Sequence, residues 1–81
     1  MTQRVSKTER IPPQNIEAEQ STLGSMLIDR DAISKAIETL RPEYFYKDAH
    51  RIIFQVIVEL FEKGEPVDLI TVTEVLRARE L

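Results

Sequence analysis

His50 is the only histidine of the chain and stands two residues from Asp48, so a metal site or a proton relay would have to grow around it. A catalytic zinc takes three protein ligands and a structural zinc four, and with no cysteine and no second histidine the set stops short. A packed or surface histidine near the start of a helix is the better reading. The carboxylate pairs Glu17/Glu19 and Glu59/Glu62 have the right groups for acid–base work, but nothing marks a pocket around them, and both suit exposed helix positions. Ser21 and Ser25 lie four residues apart with no histidine near to activate either, so they read as small residues that permit close helix contact. A phosphate loop wraps several glycine-borne N–H groups around the anion, and this chain has only Gly24 and Gly64. No catalytic, cofactor-binding or metal-ligating residue is expected.

What remains is to ask which elements carry these groups. At 81 residues the chain holds one domain at most, and a domain of this size buries only about 60% of the surface its unfolded chain exposes. The absence of cysteine excludes a disulfide framework and fits a reducing, cytoplasmic setting. The longest apolar stretch, Ile52 to Phe61, is broken by Gln55 and Glu59 and falls well short of the roughly 20 residues that cross a bilayer. The opening "MTQRVSKTER" has no apolar run after its basic residues, so it is no secretory signal. Residues 1–13 read as a flexible, solvated arm and residues 14–81 as a helical domain. The first ten residues carry a net +2, while the remainder holds eight basic and thirteen acidic groups, a net −5. An acidic body argues against direct contact with phosphate backbones and for a protein partner.

Helical periodicity predicts four helices. The first follows Pro12 and Pro13, with Asn15 as its cap, Glu17 and Glu19 on the positive end of the helix dipole, and Ile16, Leu23, Met26 and Leu27 on one face. Gly24 within it suggests close approach of another backbone. The second is capped by Asp29 or Asp31, repeats Ile33, Ala36, Ile37 and Leu40, and stops before Pro42. "RPEYFY" is then a turn whose Tyr44, Phe45 and Tyr46 plug the gap between helices as core. A third helix, about Asp48 to Lys63, is apolar on most sides and leaves only Gln55, Glu59 and Glu62 as a polar stripe. Such a helix is buried by several neighbours, so it is the centre of the bundle, and Gly64 ends it. The fourth is headed by a capping box of Thr71 with Glu74, or alternatively by Asp68. The pattern is still running at "RAREL", which predicts a truncated end with further helices beyond. The expected fold is therefore all-α, a small irregular bundle around a central hydrophobic helix, with a core of Leu23, Leu27, Ile33, Ile37, Phe45, Ile53, Phe54, Ile57 and Leu60.

A DNA-reading helix-turn-helix is the obvious rival for helices two and three. It fails because a recognition helix shows polar and basic side chains to base edges, whereas the third helix is apolar with acids on its outer stripe.

The stretches "RIPPQNIEAEQSTLGSMLID" and "LRPEYFYKDAHRIIFQVIVELFEKGEPVDLITVTEVL" together resemble the N-terminal domain of bacterial replicative DNA helicases, the DnaB family, from about Arg10 to Leu76. The order of "PPQNIEAEQ", "FY", the histidine followed by "IF", and "GEPVDLITV" makes the resemblance specific. It implies an all-helical collar on a hexameric ring, assembled as a trimer of dimers, that binds primase and has a helicase loader as a further candidate partner. It also implies further helices and a long hairpin beyond the fourth helix. ATP, magnesium and single-stranded DNA would be handled by a separate RecA-like motor domain absent from this chain. Ile52, Ile53, Phe54, Ile57 and Leu60 match the family's core positions, a packing role rather than a partner contact. A free-standing helical adaptor, or less favourably a small DNA-binding regulator, is the alternative.

Overall fold

The computed structural model describes residues 15–80. The expected arm, with Pro12 and Pro13, lies outside the described residues. Those described form α1 (Ile16–Ile28), α2 (Arg30–Thr39), a 3-10 turn (Pro42–Tyr44), α3 (Asp48–Glu62) and α4 (Leu69–Ala78), and among them there is no strand. The fold is all-α, as expected from the periodicity.

Each boundary has a local cause. The Asn15 side chain accepts the Ala18 N–H at 2.9 Å and opens α1. Asp29, not Asp31, caps α2: its carboxylate accepts the Asp31 N–H at 2.9 Å while its own N–H closes α1 on the Ser25 carbonyl. One residue thus ends one helix and begins the next. Pro42 blocks α2 and, with its fixed φ, starts the 3-10 turn instead. Gly64 ends α3 at φ +73°, where the Glu65 N–H reaches the Leu60 carbonyl and the Gly64 N–H the Phe61 carbonyl, each at 3.0 Å. That paired closure needs a left-handed residue, which glycine adopts without strain.

α4 starts earlier than a box headed by Thr71 requires. Asp68 is the cap: it accepts the Thr71 N–H at 2.9 Å, and Thr71 Oγ1 accepts the Asp68 N–H at 3.0 Å. Thr71 is therefore the third residue of the helix, and Glu74 takes no part in the box. α4 ends at Ala78, and Glu80 takes a positive φ of 56°.

The core centres on α3, which packs against α1, α2, α4 and the 3-10 turn. Phe54, Val56, Ile57 and Leu60 from α3 meet Leu23 and Met26 of α1, Ile33 and Ala36 of α2, Phe45, and Val72 of α4. Of the expected core, Leu23, Ile33, Phe45, Phe54, Ile57 and Leu60 are buried, whereas Leu27, Ile37 and Ile53 are half-buried along its edge. Phe45 meets Phe54 edge-on, ring centres 5.1 Å apart.

Two expectations about packing fail here. Tyr44 and Tyr46 are 62% and 58% exposed, so only Phe45 of the aromatic triplet is core. Side chains alternate along the extended link between the turn and α3, and Phe45 takes the inward position. Gly24 has no atom within 4 Å of the place a Cβ would occupy, so no backbone approaches it.

Candidate docking site

α3 begins at Lys47 with no side-chain cap of its own. Glu19 supplies one from α1. Its carboxylate accepts the Tyr46 N–H at 2.7 Å and the Lys47 N–H at 3.5 Å, and lies 2.7 Å from His50 Nδ1. An anion at the N-terminal end of a helix is favoured by the orphan N–H groups and the helix dipole. The Tyr46 N–H first, and His50 second, hold the Glu19 carboxyl below the ordinary glutamate range.

His50 forms a buried bridge from α3 to α1. The pair Glu17/Glu19 is split by the fold: Glu17 faces solvent, Glu19 enters this clip. Sequence reasoning missed the clip. The available signal was a strongly apolar helix starting at lysine, with no Ser, Thr, Asn or Asp in the capping position.

Arg51 completes the arrangement from the other side, donating from Nε to the Phe45 carbonyl at 2.7 Å and from Nη2 to the Tyr46 carbonyl at 3.3 Å, with Nη1 on Asp48. The link that carries Phe45 and Tyr46 is thereby fixed to both α1 and α3.

The opposite end of the bundle is tied by Arg30, whose guanidinium lies 4.7 Å above the Phe61 ring and donates to the Glu65 carbonyl at 3.1 Å. This joins the α1–α2 corner to the α3–α4 loop. Ile28 is left 88% exposed, and Leu69 and Ile70 in the first turn of α4 are exposed as well. Between α2, the 3-10 turn and α3 runs an open groove of about 410 Å³, floored by Ile37, Leu40, Phe54 and Val58 with Arg41 and Glu59 on its rims. Glu59 also accepts from Arg79 at 2.6 Å, which lowers its carboxyl below the ordinary range and pins the end of α4 to α3. Its sequence partner, Glu62, faces solvent.

Ser21 and Ser25 are both exposed, so they serve no helix contact; Ser25 Oγ donates back to the Ser21 carbonyl at 3.0 Å. Among the described residues no group of three His, Cys, Asp or Glu converges to hold a metal. Gly24 lies within a helix and Gly64 closes one, so neither builds a phosphate loop. The surface offers apolar contact and fixed polar rims, which suit binding to another protein.

The model of the DnaB-like helicase N-terminal domain matches residues 11–81. The replicative DNA helicase DnaB of Rhodothermus marinus is 56% identical over 68 residues, covering 84% of this chain and 7% of the relative. That of Geobacillus stearothermophilus is 52% identical over 73 residues, covering 90% of this chain and 16% of the relative. The chain therefore spans less than a fifth of these relatives. The crystal structure of the N-terminal domain of DnaB helicase from Mycobacterium tuberculosis superposes with a TM-score of 0.83 at 47% identity, covering 86% of this chain and 51% of that one.

Proposed function

Because the chain belongs to the DnaB-like helicase N-terminal domain family, we propose that it is a non-catalytic assembly and recruitment module of a hexameric replicative DNA helicase. The match of family and fold carries this reading: four helices in the arrangement of a solved DnaB N-terminal domain, at 47% identity. In this role the chain contributes to a collar of dimers, three to a ring, and offers repeated sites to primase in the cytoplasm. Repetition matters because several weak contacts to one ring gain from effective concentration. A helicase loader is a further partner of the same surface. ATP, magnesium and single-stranded DNA belong to the motor domain of the intact helicase, which unwinds the fork during replication.

The exposed Ile28, Leu69 and Ile70 and the groove beside α3 are the apolar surfaces on which such contacts would form. The acidic balance, −3 over the whole chain, points the same way, toward protein rather than nucleic acid.

Titration calorimetry of the chain against the C-terminal region of a bacterial primase, repeated at low and high salt, tests the reading, with sedimentation velocity reporting self-association. Binding that survives high salt supports the collar. Binding only to a duplex oligonucleotide, falling steeply with salt, supports a DNA-binding regulator instead. With neither, the chain is a helical adaptor and the primase claim is abandoned.

A further inference from the structure

The link between the 3-10 turn and α3 is gripped by groups of opposite charge. Glu19, reaching over from α1, takes the N–H groups of Tyr46 and Lys47, while Arg51 of α3 takes the carbonyls of Phe45 and Tyr46. A guanidinium stays charged at every pH a folded protein meets; a carboxylate does not. The other titratable or charged residues on the neighbouring segments are Glu17 on its own helix, Glu43 in the turn, and Lys47, Asp48, His50 and Arg51 at the start of α3. Asp48 is taken by Arg51. His50 Nδ1 lies 2.7 Å from Glu19 Oε1. Glu19 is the one side chain that accepts from both backbone donors.

We infer that Glu19 is an acid-released latch: neutralising its carboxylate frees residues 46 and 47 and the first turn of α3 from α1 while the rest of the bundle stays folded. The separation is physical. Phe45 is held in the core by Phe54, α3 lines the groove it shares with α2 through Phe54, Gln55, Val58 and Glu59, and Glu59 ties α3 to Arg79 at the end of α4, all beyond its first turn. The latch governs how Tyr46 is presented to solvent, since it sits on the segment the latch holds. With its carboxyl held below the ordinary glutamate range it stays shut at neutral pH, and it opens as pH falls through that lowered value.

The chain has two tyrosines, Tyr44 at the end of the 3-10 turn and Tyr46 on the link, and no tryptophan, so tyrosine fluorescence anisotropy reads this region. The experiment follows anisotropy, amide protection of Tyr46 and Lys47 by NMR, and far-UV circular dichroism between pH 7 and pH 3, in the wild type, Glu19→Ala and Glu19→Gln. In the wild type, protection of the two amides falls roughly tenfold or more, and anisotropy drops, before helical signal is lost. Glu19→Ala shows the open values at pH 7 with no further acid response, and Glu19→Gln, which keeps an acceptor but no charge, falls between. Protection lost only together with the helical signal overturns the latch, as does Glu19→Ala with wild-type protection and anisotropy at pH 7. Should Glu19→Ala fail to fold, the wild-type acid series decides alone: early local loss supports the latch and simultaneous loss overturns it.

Discussion

Ile57 has no exposed surface and lies midway along the central helix. A carboxylate there would be buried without a partner, so Ile57→Asp is expected to cost more than about 3 kcal/mol and abolish the cooperative melt followed by circular dichroism. An unchanged melt would reject the placement of α3. Gly24 argues in the opposite direction. With nothing near its missing Cβ, glycine there only weakens α1, so Gly24→Ala is expected to stabilise the chain by about 0.5–1 kcal/mol. The melting temperature should rise by a few degrees; a fall would mean that a neighbour approaches after all.

The helices depend unequally on their ends. α4 packs chiefly on α3 and buries only Val72 fully, so more of its order rests on its cap than in the other helices. Asp68→Ala removes the acceptor for Thr71 and should cost about 1 kcal/mol. Hydrogen exchange would show the loss within α4 before α1 to α3 respond; uniform loss would mean that α4 folds as one unit with the rest. At the end of α3, Gly64→Ala forces a Cβ into the left-handed region and should destabilise by about 1 kcal/mol, measured by urea unfolding at unchanged slope.

For the molecule as a whole, acid is the condition that matters most. Glu19 and Glu59 both sit below the ordinary glutamate value of 4.5 in the folded chain, held there chiefly by the Tyr46 N–H and by Arg79 respectively. The folded state thus binds fewer protons than the unfolded one across that window. Their contribution is complete above the unfolded value and is lost as pH falls through the lowered folded values. The melting temperature should decline below pH 4.5, and the double variant Glu19→Gln, Glu59→Gln should show a flatter decline. A parallel decline in that variant would place the acid response elsewhere.

Much of this architecture was legible in the sequence because it depends on local chemistry. Apolar spacing placed four helices, Asn15 and Gly64 marked two of their ends, and the all-round apolar character of α3 made it the centre, since each follows from a period of 3.6 or a single backbone preference. The quoted stretches carried the family resemblance in the same way. What only the tertiary structure decided concerns partners distant along the chain. Glu19 and His50 are 31 residues apart, and Arg30 and Glu65 are 35 apart. No periodicity reports such pairs, because they form only once helices pack. The same holds for the exposure of Tyr44 and Tyr46: an aromatic residue in or beside a turn is core or surface according to which side faces the bundle, and packing alone turned Phe45 inward.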